Sequence, residues 1–170
     1  MHNAKNILIA VDDSAASYRA VTYVGSIMGG RADCRVCLVH ASPPLPRALL
    51  EFGGSSDPQH EAHEEARIHA EQAPWLAAAR QAAEPVFSRA KRILHEAGVP
   101  ADAVETQMTD TVHTHDIVLD MLEAARAQQC GTVVVGREAV PGLRVRARWT
   151  SPLSEKLMRQ AHDLTVWVVE

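Results

Sequence analysis

Cysteine is scarce in this chain: Cys34, Cys37 and Cys130 are three in 170 residues, too few and too odd in number for a disulfide framework. Long apolar runs are missing as well. No stretch approaches the ~20 residues that a bilayer-spanning helix needs, so no membrane partner is expected. Charge of one sign is not in excess either, and a formal net charge of -4 gives no reason to expect a nucleic-acid partner. Residues 1–9 run directly into a strand-like segment without the regions of a signal peptide, which sets the expectation of a cytoplasmic protein.

What is present has ordinary globular proportions. Apolar residues make up 46% and charged residues 22%, and one domain of 170 residues is long enough to bury a core. Four short runs, 6–11, 34–41, 132–136 and 165–169, are rich in Val and Ile and continuous rather than alternating. Strands covered on both faces, as in a parallel sheet, carry that pattern. A fifth candidate, 103–108, alternates apolar and polar residues. Between the runs lie helical patterns. Residues 16–28 place Ala20, Val21, Val24, Ile27 and Met28 on one face and stop at Gly29-Gly30. Residues 85–97 place Val86, Phe87, Ala90, Ile93 and Leu94 together and end before Gly98 and Pro100. Residues 115–129 repeat the pattern with Ile117, Val118, Met121, Leu122 and Ala125. Ser151 is a candidate N-cap for a last helix, with Pro152 at its first position. Strands alternating with amphipathic helices predict an α/β fold: one open parallel sheet of right-handed βαβ units.

One stretch, about 42–80, breaks the spacing as an excursion inserted into a single domain spanning 1–170. It opens with loop chemistry (Ser42-Pro43-Pro44-Leu45-Pro46), and its part from 58 to 80 is rich in Ala, Glu, His and Gln, a helical composition. A lid or a partner surface is the expected use.

In an open parallel sheet, ligands bind at the carboxyl ends of strands where the strand order reverses. Three loops qualify: 11–15, 109–115 and 136–151. The residues there, with their flanking strands, resemble the universal stress protein family. Ile7-Leu8-Ile9-Ala10-Val11-Asp12-Asp13-Ser14 is similar to the family's opening strand and its Asp-x-Ser turn, Leu38-Val39-His40 to its second strand, and Glu96-Ala97-Gly98-Val99 to the end of its second helix. Val133-Val134-Val135-Gly136, Leu153-Ser154-Glu155-Lys156-Leu157 and Val166-Trp167-Val168-Val169 resemble its C-terminal third. The likeness covers the chain except for about 42–80. It implies five strands in the order 3-2-1-4-5, helices on both faces, a homodimer, and a stress-response role.

The family's ATP-binding members carry Gly-x2-Gly-x9-Gly-Ser/Thr after the fourth strand, because glycines let backbone N–H groups approach phosphate oxygens. Carried onto this chain, the first glycine is Gly136 and the second falls on Ala139, a departure; Gly142 lies between motif positions. Counting forward, Trp149 takes the third glycine and Thr150 the hydroxyl, whereas counting back from Ser154-Glu155 reaches Ser151-Pro152. The resemblance further implies that Asp12, with Ser14 behind it, borders the nucleotide base and ribose, and that Ala41 lines an adenine pocket. Arg137, Arg144, Arg146 and Arg148 supply guanidinium groups that hold phosphate bidentately. The expectation is a non-enzymatic binding module with a degenerate nucleotide or anion crevice and no fixed cofactor. A small anionic ligand is the candidate occupant. The alternative is an ATP- or AMP-binding switch of the same family.

Other chemistry is weighed against bland structure. Cys34 and Cys37, three apart on or beside a strand, point to opposite faces and read as core. His60, His63 and His69 read as the polar face of a helix rather than a zinc site, and His113 and His115 as capping or solvent-exposed residues beside the crevice. A phosphoacceptor reading of Asp12-Asp13 lacks the further aspartate and lysine at strand ends. No phosphate-binding Gly-x4-Gly-Lys-Ser/Thr loop or nucleophile elbow is present, so no enzyme is expected. The last strand, 165–170, would leave an apolar sheet edge, and pairing with the same strand of a second copy removes that hazard.

Overall fold

The continuous apolar runs become strands β1 (Asn3–Val11), β2 (Arg35–His40), β4 (Cys130–Gly136) and β5 (Thr165–Val169), and the alternating run becomes β3 (Val104–Met108). The amphipathic stretches become helices α1 (Ala15–Met28), α2 (Pro58–Glu96), α3 (Ile117–Ala127) and α4 (Leu153–Gln160). The computed structural model describes residues 3–43, 45–46, 49, 58–109, 116–137 and 153–170. The sheet has the order β3-β2-β1-β4-β5, as expected, and every neighbouring pair is parallel. Because the chain fills β2 and β3 on one side of β1 before crossing to β4 on the other, the strand order reverses between β1 and β4. Their carboxyl ends are the switch point of the fold.

Both faces of the sheet are covered, which is why the central strands are apolar at successive positions. Ile7, Ile9, Val11, Val36 and Leu38 pack against Val21 and Val24 of α1 and Phe87, Ala90 and Leu94 of α2. Leu8, Cys37, Val39, Val133 and Val135 pack on the opposite face against Val118, Met121 and Leu122 of α3 and Leu157 of α4. The two helices of the first face touch through backbone: a Cβ on Gly29 would lie 2.0 Å from the Ala97 carbonyl oxygen. Beside it Gly98 ends the second helix at φ +88, a conformation that favours glycine, and its carbonyl accepts from Gly30 N–H at 3.0 Å.

Most boundaries move by one or two residues from the sequence expectation, and two differences are larger. β1 starts at Asn3, with an irregular register against β4 between Asn3 and Ile7. Pro85 does not open a helix but lies inside α2, a single helix of 39 residues that also contains Pro74. Each proline removes one hydrogen bond to the carbonyl four residues back. Pro74, Pro85, Ala70 and Gln81 are all exposed, so the lost bonds fall on the solvent side, and the helix continues. At about 1.5 Å per residue α2 is about 58 Å long, far longer than the sheet it crosses. Its core-facing stripe begins at Ala83; farther back, Ile68 and Gln72 are buried and the Gln72 amide donates to the Leu49 carbonyl at 2.7 Å. Among the described residues no helix is long and apolar enough to cross a membrane.

Candidate functional site

At the carboxyl end of β1 the sequence Asp12-Asp13-Ser14 turns the chain into α1. Asp12 Oδ1 accepts from Ser14 N–H at 3.0 Å, an aspartate turn, and Ser14 caps the helix by accepting from Ser17 N–H at 3.1 Å. Ser17 closes the loop: its Oγ accepts from Asp12 N–H at 3.0 Å. Asp12 itself is exposed, and its Oδ2 takes no hydrogen bond from the described residues. Asp13 Oδ1 accepts from the Tyr18 hydroxyl at 3.0 Å, and the Arg89 guanidinium of α2 lies 4.0 Å from the Tyr18 ring centroid. Burial, and then the bond to Asp13, raise the Tyr18 phenol above its ordinary pKa, so it remains a donor. The turn is thereby fixed from below by α1 and from the side by α2.

Next to it, the ends of β2 and β3 are tied together. Thr109 N–H donates to the His40 carbonyl at 3.0 Å. Ser42 N–H donates to Thr109 Oγ1 at 3.0 Å, and Ser42 Oγ donates to the Thr109 carbonyl at 2.6 Å. His40 Nδ1 lies 2.7 Å from the Val11 carbonyl oxygen, which can only accept, so Nδ1 carries the proton. Its ring meets Phe87 edge-on at 6.0 Å. Ala41, half-buried, is held between these bonded neighbours.

On the other side of β1, β4 ends at Gly136. A Cβ there would meet the Ala16 backbone at 2.3 Å, so the glycine is required by the first turn of α1, whatever binds above it. Arg137 N–H donates to the Val169 carbonyl at 2.6 Å, and the Arg137 guanidinium pairs with the Glu170 carboxylate. The structure therefore brings Asp12, Ser14, Ala41, Gly136 and Arg137 to the ends of three adjacent strands. Ala139, Gly142, Thr150 and Ser151, like His113 and His115, lie outside the described residues. Sequence reasoning missed Ser17, Tyr18, Arg89 and Glu170, and reached Thr109 only as the first residue of the 109–115 loop. Of these only Ser17 had a local signal, three residues after Ser14, the spacing of a capped first turn.

All three cysteines are buried. Cys34 and Cys37 face opposite sides of the sheet, and burial pushes the Cys37 thiol up to about 12 and the Cys130 thiol up to about 11. His63 and His69 are exposed on α2, and no group of three metal-ligating side chains occurs among the described residues. A separate open cleft of about 600 Å3 lies at the amino ends of the strands, lined by polar groups that include Asn6, Asp33, Arg35, Asp102 and Gln129. It is at the wrong end of the sheet for the switch point.

An open 3-2-1-4-5 sheet with helices on both faces defines a doubly wound α/β domain. The sequence profile of the universal stress protein family matches residues 3–169, and the chain belongs to that family. Solved structures agree on the fold. A universal stress protein family member from Burkholderia pseudomallei superposes with a TM-score of 0.62 at 18% identity, covering 98% of this chain and 96% of that one. A universal stress protein in complex with cAMP gives 0.57 at 16% identity, with 98% and 96% covered. The universal stress protein from Archaeoglobus fulgidus in complex with dAMP gives 0.54 at 16% identity, with both chains covered in full (100% each). No curated protein matches the chain.

Proposed function

We propose that the chain is a non-enzymatic stress-response module that holds an adenosine phosphate weakly at the switch point and works as a homodimer. The observation that carries this reading is the juxtaposition of Asp12, Ala41 and Gly136 at the ends of β1, β2 and β4. Two structural relatives hold adenosine monophosphates, cAMP and dAMP, which favours a ligand of that kind over ATP. Weak phosphate affinity follows from the sequence, where Ala139 replaces the second glycine of the family's ATP loop and its methyl obstructs close backbone approach. The hydroxyls support a module without turnover. Ser14 and Ser17 accept backbone N–H bonds in the turn, and Ser42 and Thr109 bond one another's backbone. Each serves geometry rather than attack.

Dimerisation is proposed through β5. Val166, Trp167, Val168 and Val169 stay half-exposed at the sheet edge, and Tyr23, 47% exposed, stacks edge-on against Trp167. An isologous β5–β5 pairing covers them and closes the edge. Mass spectrometry of small molecules released from the purified protein, followed by calorimetry with AMP, cAMP and ATP, tests the ligand. Light scattering at micromolar concentration tests the dimer. Stoichiometric ATP in the released fraction replaces this reading with the nucleotide-switch alternative.

A further inference from the structure

Arg137 leaves β4 at the switch point, where an anionic ligand arrives in folds of this class, and its guanidinium is already engaged by Glu170. The contact is built into the sheet. Gly136 pairs with Val169 in the β4–β5 register, and the bond from Arg137 N–H to the Val169 carbonyl carries the ladder one residue further. Arg137 and Glu170 therefore sit side by side at the ends of neighbouring strands. Both side chains remain in water, at 58% and 76% exposure. A pair so exposed is weak enough to exchange, and a phosphate uses the same guanidinium donors that the carboxylate uses.

We propose that Glu170 is an internal competitor for ligand phosphate at Arg137 and makes the site discriminate against highly charged nucleotides. The inference rests on the nucleotide reading above. Displacing the carboxylate costs every phosphate ligand the same. The displaced carboxylate then repels the ligand in proportion to its charge, an effect that salt screens. Asp12, exposed on the neighbouring turn, adds charge of the same sign. A cyclic monophosphate with one negative charge is disfavoured least and a triphosphate most.

Calorimetry on the full chain and its Glu170→Gln variant, with cAMP, AMP and ATP at low and high salt, tests this. Circular dichroism melts confirm that the variant folds. The expected result is tighter binding by the variant, about two- to fivefold, with the gain ordered ATP over AMP over cAMP and shrinking as salt rises. In an Arg137→Ala background the part of the gain common to all three ligands disappears, and the charge-ordered part remains. Equal affinities for wild type and variant overturn the inference and leave the nucleotide reading standing, and a gain of one size for all three ligands overturns the charge discrimination. No binding by either protein overturns the nucleotide reading and this inference with it.

Discussion

A Cβ placed on Gly136 would lie 2.3 Å from the carbonyl carbon of Ala16 and 2.8 Å from the amide nitrogen of Ser17. The glycine that sequence comparison marks as the first of a phosphate loop is thus fixed by helix packing. Gly136→Ala must push α1 away from β4, and overpacking of this kind costs about 1–3 kcal/mol. Urea unfolding should show that loss without any ligand present. An unchanged midpoint would assign the glycine to ligand approach alone.

Thr109 and Ser42 bond each other twice at the ends of β3 and β2. Thr109→Val keeps the shape but leaves Ser42 N–H without its acceptor, in a position where Thr109 is only 6% exposed. The expected cost is about 1–3 kcal/mol. Chemical denaturation measures it, and amide exchange at Ser42 should accelerate in the same variant.

Ser14 caps α1 through Ser17 N–H. Ser14→Ala should destabilise the protein by about 1 kcal/mol. Because the same turn orients Asp12, ligand affinity should fall as well, whereas Ser14→Thr, which retains a capping hydroxyl and adds no charge, should restore both.

The buried thiols give a pH signature. Their pKa values are raised in the folded state to about 12 for Cys37 and about 11 for Cys130, chiefly by burial. The unfolded chain ionises them near the ordinary value of about 8.5 and the folded chain does not. Their contribution to stability is therefore fully present below that pH and is lost as pH rises towards 11 and 12. Urea midpoints at pH 7 and pH 10 should show the decline, reduced in a Cys130→Ala variant. Ellman's reagent at pH 8 should label the native thiols slowly and the denatured ones at once.

Much of the fold was legible because its signals are local. Val/Ile runs marked β1, β2, β4 and β5, the spacing of Ala20, Val21 and Val24 marked α1, and Gly98 marked the end of α2. Pro85 misled for a physical reason. Proline is at home in a first helical turn, but here its missing hydrogen bond falls on the solvent side of a continuing helix. In the site, the turn after β1 was legible from three consecutive residues, Asp12-Asp13-Ser14, through their likeness to the family's Asp-x-Ser turn. The contacts of Tyr18 with Arg89, Ser42 with Thr109 and Arg137 with Glu170 were not, since each joins elements distant in sequence. Strand register and helix crossing bring such pairs together, and no local pattern states either.

The central claim is that the ligand sits where β1, β2 and β4 end. Titrating isotope-labelled protein with AMP and following backbone amide resonances tests it residue by residue. The account predicts saturable shifts at Asp12, Ser14, Ala41, Gly136 and Arg137, with Asn6, Asp33 and Gln129 at the opposite end of the sheet unmoved. Shifts confined to that opposite end, or none at millimolar AMP, would contradict it.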